Sequence, residues 1–230
     1  MKNTLIPGTP FVCSWSGGKD SALAFHRAVQ AGLRPVALLT MFKEDGARSR
    51  SHGLRPEVLA AQAEALGLPL IQGHATWDGY EREFIGKLRE ARTLGAEVAV
   101  FGDIDLQPHR DWEEKVCAEA GLTPHLPLWL EPRRKLVDEL LGAGFQARLV
   151  AVRAGRLPME FLGRTLDPAL VDAIEAHGCD ACGEEGEYHS AVVAGPGFAS
   201  PLELVPGDIT KVQDVWGLDF QLRLEALPAR

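Results

Sequence analysis

Ser14-Trp15-Ser16-Gly17-Gly18-Lys19-Asp20-Ser21 follows a short apolar run, Phe11-Val12-Cys13, and opens a helical pattern over residues 22–31. A strand, a glycine turn and a helix start, in that order, build an anion site. Glycines at 17 and 18 let the backbone turn tightly and approach an oxyanion that a Cβ would keep away. The unpaired N–H groups of the first helical turn, with the positive end of the macrodipole, then face the anion. Lys19 adds a mobile charge, and Ser16 and Ser21 add hydroxyl donors. The stretch reads as a phosphate cradle; its plain alternative is a serine-capped helix start after a turn.

Beyond the cradle, residues 35–42 form a near-continuous apolar run of strand length, the kind that suits a parallel strand covered on both faces. A polar loop over residues 43–53 closes on Ser51-His52-Gly53. Residues 56–66 read as a helix, with Val58, Leu59, Ala61, Gln62, Ala65 and Leu66 at helical spacing, Pro56 in the first turn and Gly67 as the stop. Residues 69–71 are a short strand. Residues 78–94 are a long amphipathic helix with Asp78 as its expected N-cap. Residues 97–101 are the next strand, and 110–120 a helix stopped by Gly121. This alternation predicts an α/β fold, a doubly wound parallel sheet. Such sheets bind ligands beyond the carboxyl ends of their strands, near the point where strand order reverses. The cradle, the 41–53 loop and Gly102-Asp103 all follow such ends, so they are expected to converge.

The texture changes at Pro127-Leu128-Trp129. Residues 132–142 read as a helix, 145–152 as a strand, and 166–177 as a helix with Asp167 as its cap and Pro168 in its first turn. Residues 211–224 alternate like a half-solvated antiparallel ribbon. The expected organisation is an ATP-binding-type body over 1–130 and a smaller C-terminal α+β lobe over 131–230.

The chain has 230 residues, 46% of them hydrophobic and 24% charged, which is enough for one good core. A net charge of −8 argues against non-specific nucleic-acid binding. No apolar run approaches the roughly 20 residues of a membrane span, and the N-terminus lacks a signal-peptide core, so a cytoplasmic protein is expected. Cys13 and Cys117 read as small buried apolar residues. Cys179 and Cys182 have CxxC spacing without a second pair to complete a zinc site.

The densest cluster of ionisable groups is Gly183-Glu184-Glu185-Gly186-Glu187-Tyr188-His189-Ser190. Its carboxylates could hold an ammonium ion or Mg²⁺, and His189 could manage a proton. Taken alone, the cluster fits a polar surface turn equally well. Asp103, at the end of a buried strand, fits a ligand-binding carboxylate or the cap of the next turn.

Residues 16–21 do not have the spacing of the commoner nucleotide P-loop. They resemble the PP-loop of the ATP pyrophosphatases, which split ATP between the α- and β-phosphates. The 183–190 cluster, followed by Gly195-Pro196, is similar to the signature of the diphthine–ammonia ligase family within that group. The resemblance extends to Arg50-Ser51-His52-Gly53, Gln62-Ala63-Glu64-Ala65-Leu66-Gly67, Phe101-Gly102-Asp103-Ile104 and Pro127-Leu128-Trp129. Ser190 stands where the family often has threonine. The short form and the 50–53 wording resemble the bacterial-type branch, and bacteria lack diphthamide. As a departure from the family, the chain is expected to lack the extra C-terminal domains found on some eukaryotic relatives.

What the resemblance implies is an enzyme that adenylates a substrate carboxylate with ATP and Mg²⁺ and transfers ammonia to it. The carboxylate would be diphthine on an elongation factor in an archaeal or eukaryotic source. Ser14, Trp15, Ser16, Gly17, Gly18, Lys19, Asp20, Ser21, Thr40, Met41, His52 and Gly102 would hold ATP, with Asp20 and Asp103 on Mg²⁺. Lys19, Asp20, Asp103, Glu184, Glu187 and His189 would carry the chemistry. Folds of this kind commonly pair as homodimers. Two other readings share the cradle. One is a tRNA-modifying PP-loop enzyme, for which Cys179 and Cys182 would matter, and the other is a non-catalytic ATP-sensing module.

Overall fold

The structure, a computed structural model, describes residues 6–223. Its first half alternates strand and helix: β1 (Pro10–Ser14), α1 (Lys19–Gln30), β2 (Arg34–Lys43), α2 (Pro56–Ala65), β3 (Leu70–Ala75), α3 (Tyr80–Thr93), β4 (Val98–Val100), α4 (Gln107–Ala120) and β5 (Thr123–His125). The strands form one parallel sheet in the order β3-β2-β1-β4-β5. Alternate residues of β1 go to opposite faces: Phe11 and Cys13 pack with α1 and α2, and Val12 packs with α3 and α4. The doubly wound sheet is therefore present, and strand order reverses between β1 and β4.

The second half comprises α5 (Arg133–Gly142), β6 (Gln146–Arg153), α6 (Pro168–Ala176), β7 (Tyr188–Ala194), β8 (Leu204–Val212) and β9 (Val215–Leu222). Its strands make an antiparallel sheet, β7-β6-β9-β8. Leu136, Val137, Leu149, Tyr188 and Phe220 belong to the same apolar cluster as Phe11, Leu23 and Leu59, so the two sheets share one core. Among the described residues no helix is long and apolar enough to cross a membrane.

Several boundaries differ from expectation for physical reasons. Helix α1 begins at Lys19, so the cradle itself supplies the first turn. Asp78 is not an N-cap: α3 starts at Tyr80 behind Gly79, without a side-chain cap. Helix α4 starts at Gln107, with Pro108 in its first turn where a missing N–H costs nothing. Asp167 does cap α6, accepting from the Leu170 N–H at 2.7 Å. The ribbon expected at 211–224 is the second half of the β8–β9 hairpin, and its end at Leu224 lies outside the described residues, as do 1–5 and 225–230 of the two expected lobes.

Candidate active site

A cavity of about 590 Å³ opens at the carboxyl ends of β1, β2 and β4, where the strand order reverses. Ser14, Trp15, Ser16, Asp20 and Ser21 line it from the cradle, Thr40 and Met41 from β2, Ser51 and His52 from the loop after β2, and Gly102 and Asp103 from the loop after β4. Glu184 reaches it from the second half. The three strand-end segments converge as their positions predicted.

The cradle is braced from several directions. The Ser16 and Ser21 hydroxyls lie 3.1 Å apart, the Gly18 N–H donates to Ser16 Oγ, and the Lys19 N–H donates to Ser190 Oγ on β7 at 3.2 Å. The Thr40 hydroxyl donates to the Trp15 carbonyl at 2.5 Å. Fully buried Gln62 of α2 accepts from Trp15 Nε1 at 2.8 Å and donates to the carbonyls of Gly17 and Val192. The glycines are required by this packing. Gly17 has φ +81, and a Cβ there would meet Gln62 Oε1 at 2.7 Å; one on Gly18 would meet His52 Cε1 at 2.0 Å. Gln62 was read from sequence only as part of a helical face, and nothing in that pattern singled it out.

Lys19 does not line the main cavity. Its Nζ is buried behind Asp20, 2.7 Å from Oδ2 and over the Tyr188 ring. Burial works against its charge, and the Asp20 carboxylate more than restores it, holding the ammonium well above its usual range. Burial in turn pushes the Asp20 carboxyl up, against the pull of Lys19.

His52 and His189 stack with ring centroids 4.7 Å apart, and His52 Nδ1 lies 2.8 Å from the Ser190 carbonyl. Burial lowers both imidazoles, His52 well below its usual range and His189 to about 4. Both are neutral near pH 7, so the His52 Nδ1–H donates to Ser190. His52 faces the cavity, whereas His189 backs it and does not line it. Glu187 is also away from the cavity: its side chain is 1% exposed and meets Arg156 at 3.3 Å, with Oε2 unpartnered. The 183–190 cluster thus divides, and only Glu184 faces the cavity, its carboxyl raised to about 7 by burial and then by the charge of Asp20.

The loop after β4 and helix α4 supply a further wall, of which the sequence pointed only to Asp103. Asp103 Oδ1 lies 2.7 Å from His109 Nδ1, and the Asp103 carboxylate is also hydrogen-bonded by the Glu113 carboxyl group. Burial works against the Asp103 charge, but these two donors outweigh it and keep its carboxyl below the ordinary range. His109 is raised by that bond. Burial, then the bond to Asp103, pushes Glu113 up to about 11, so it is the protonated partner. Trp77, Tyr80, Phe84 and Trp112 complete this wall. The loop carrying Ser51 and His52 is fastened from the second sheet, where Asp219 of β9 accepts from Arg48 at 2.5 Å and from Arg55 through three contacts.

Cys179 and Cys182 are both buried free thiols that hydrogen-bond to the carbonyls of Arg156 and Arg133. Among the described residues no group of three or more His, Cys, Asp or Glu is arranged to hold a metal ion.

A doubly wound parallel sheet with a Ser-Gly-Gly-Lys-Asp-Ser cradle at its switch point defines a PP-loop-type ATP-handling enzyme. Residues 11–124 match the diphthamide synthase N-terminal domain and residues 132–223 the diphthamide synthase C-terminal domain. A diphthine–ammonia ligase of Danio rerio is 31% identical over 81% of this chain and 83% of its own length. One of Schizosaccharomyces pombe is 27% identical over 85% of this chain and 36% of its own length. A solved structure titled as a predicted tRNA methyltransferase subunit of Methanocaldococcus jannaschii aligns with a TM-score of 0.43 at 14% identity, covering 81% of this chain and 97% of that one. The chain belongs to the diphthine–ammonia ligase family and is an ATP-dependent amide ligase.

Proposed function

We propose that the protein joins ammonia to a substrate carboxylate through an acyl-adenylate. A carboxylate oxygen attacks the α-phosphorus of ATP and pyrophosphate leaves. Ammonia then attacks the acyl carbon, the bond to AMP breaks and an amide remains. The observation that carries this reading is the cradle at the switch point, its serines and Asp20 facing a cavity large enough for a nucleotide. Ser16, Ser21 and the backbone from Gly17 to Lys19 would hold the departing pyrophosphate. Thr40 and Met41 would meet the base, with His52 and Gly102 flanking the phosphates. Lys19, stored on Asp20, gains a second anion once phosphates arrive and would stabilise charge developing on the leaving group.

Mg²⁺ would travel with the nucleotide, neutralising its phosphates. Asp20 suits it, because this carboxylate lies in the cavity beside the cradle, whereas Asp103 is committed to His109 and Glu113. The carboxylate substrate is diphthine, the substrate in the relatives' name, carried on an elongation factor wherever the source makes diphthamide. A cytoplasmic setting agrees with four free thiols.

The test is product analysis with ATP, Mg²⁺, ¹⁵N-ammonium and a diphthine-bearing elongation factor. AMP, pyrophosphate and a labelled amide are expected, and Lys19→Ala should lower turnover about a hundredfold or more. ADP and phosphate would defeat the reading. AMP and pyrophosphate formed only with another acceptor from extract would keep the reaction and replace diphthine.

A further inference from the structure

The turn that carries Glu184 is held at more points than a surface turn requires. Asp180 Oδ1 accepts from the N–H groups of Cys182 at 2.7 Å and Gly183 at 2.9 Å, and its Oδ2 accepts from the Glu184 N–H at 2.9 Å. A carboxylate that gathers three successive N–H groups fixes the backbone of all three residues. The Tyr188 hydroxyl donates to the Ala181 carbonyl at 2.6 Å, and the Cys182 thiol donates to the Arg133 carbonyl at 3.1 Å. Gly183, at φ +69, has no room for a side chain, since a Cβ would meet the Tyr188 ring at 2.7 Å.

Arg133, the first residue of α5, ties this turn to the β4–α4 loop. Its Nη1 lies 3.0 Å from Asp180 Oδ2, while its Nε and Nη2 each donate at 2.9 Å to one oxygen of Asp105. One guanidinium thus joins the Glu184 turn of the second half to the loop that carries Asp103. The paired contact on Asp105 uses the planar fork of arginine, which lysine lacks.

What this scaffold presents to the cavity is the Glu184 carboxyl group. Among the described residues it is the one carboxyl group lining the cavity that makes no hydrogen bond or ion pair. Asp20 holds Lys19, Glu81 accepts from Trp112 and Lys115, and Asp103 and Glu113 are bonded to each other. His52 keeps its Nδ1–H on Ser190, and burial makes its ring a poor base. Amide formation, meanwhile, releases a proton. The nitrogen lone pair forms the bond to the acyl carbon, the bond from that carbon to the AMP oxygen breaks with its electrons going to AMP, and one N–H proton leaves.

We propose that the Glu184 carboxylate takes that proton, and that Asp180 and Arg133 are the positioning residues that hold it in the cavity for the transfer. This rests on the acyl-adenylate reading of the cavity.

Two rates separate the steps, both read at saturating ATP with the full chain and a diphthine-bearing elongation factor. Exchange of labelled pyrophosphate into ATP without ammonium reports the acyl-adenylate step, and ¹⁵N-amide formation reports the nitrogen step. Glu184→Gln, which keeps the shape, should lower amide formation about a hundredfold and exchange far less. The loss should fall on kcat, with KM for ammonium moving little. Asp180→Asn and Arg133→Gln should each lower amide formation about tenfold with the same imbalance, and Arg133→Lys, which keeps the charge beside Asp180, should recover part of it. Undiminished amide formation in Glu184→Gln overturns the proposal, as does an equal loss of both rates. Equal losses in Asp180→Asn and Arg133→Gln would reduce these two residues to structural supports and overturn their positioning role. Where those variants fail to fold, Glu184→Gln and Arg133→Lys still decide. No pyrophosphate exchange in the wild type would remove the acyl-adenylate reading, and this proposal with it.

Discussion

The cradle and the acid wall line one cavity, and they differ in how their polar groups are satisfied. On the cradle side every bond needed to hold the loop is already made inside the protein: Gln62 to Trp15, Gly17 and Val192, Ser190 to Lys19, and Lys19 to Asp20. On the acid side Asp103 and Glu113 face each other, Glu184 is raised by burial, and Glu113 Oε2 has no donor. The first wall is preorganised, so a phosphate meets groups that need not rearrange. The second is held together by protons, one on Glu113 shared toward Asp103 and one on His109, so its charge state depends on its surroundings.

The most direct way to break the first wall is Gly18→Ala. The new Cβ would lie 2.0 Å from His52 Cε1 and 3.0 Å from the Ser190 carbonyl. The histidine must move, at a cost of about 3 kcal/mol in unfolding free energy, and ATP binding should fall with it. If the imbalance is local, adding His52→Ala should recover most of the stability, because the shorter contact is with a side chain. Thermal or urea unfolding of the two single variants and the double variant checks this. Equal loss in Gly18→Ala with and without His52 would mean that the backbone, not the ring, sets the limit.

A smaller effect follows from loosening the loop that carries His52. Asp219 is held below the usual carboxylate range by hydrogen bonds from Arg55, with Arg48 adding to them. A depressed folded-state value contributes fully at every pH above the unfolded value near 4, and the contribution is lost progressively as pH falls from there through the lower folded-state value. Asp219→Asn should therefore destabilise the protein by about 1 kcal/mol at pH 7. The gap to wild type should begin to narrow only below about pH 4 and close as pH approaches the much lower folded-state value. Unfolding curves at pH 7 and about pH 2 suffice; a gap that does not change with pH would deny Asp219 its place as the loop's charged anchor.

The same contrast explains what was legible in the chain. Gly17, Gly18, Lys19 and Ser21 declare themselves because a glycine turn between an apolar run and a helix has few other uses, and strand alternation then places Thr40, Met41, Gly102 and Asp103 beside it. Gln62 does not declare itself, since one glutamine on a helical face looks like any other until three distant groups converge on it. His109 and Glu113 are similarly silent, an ordinary i, i+4 pair on an amphipathic helix whose meeting with Asp103 depends on the β4–α4 turn. Strand β5 was hidden by its three residues and by Pro124, which only a sheet edge accommodates readily. Strand β7 was hidden by the turn-formers just before it, and with it the reason Glu187 and Glu184 point to different places.

The smallest effect sharpens the second wall. Glu184 is raised to about 7 by burial and by the Asp20 charge, so it is largely neutral at pH 6 and largely ionised at pH 8. Ionisation adds a negative charge to a cavity that must accept a triphosphate, so ATP affinity should weaken as pH rises through 7. At an effective dielectric near 20 and a separation of about 15 Å, the repulsion is about 1 kcal/mol, roughly a fivefold change in dissociation constant. The nucleotide's own phosphate titrates in the same range, so the wild-type profile alone cannot assign the effect. Glu184→Gln removes the side-chain titration and leaves that of the nucleotide, and the difference between the two profiles is the contribution of this residue. Calorimetric titration with a non-hydrolysable ATP analogue from pH 6 to pH 8.5 should show the variant binding more tightly at the alkaline end and matching wild type at the acid end. Parallel profiles would place Glu184 outside the reach of the phosphates. The carboxylates that ATP feels would then be Asp20 alone, and the contrast between the walls would be one of packing rather than of charge.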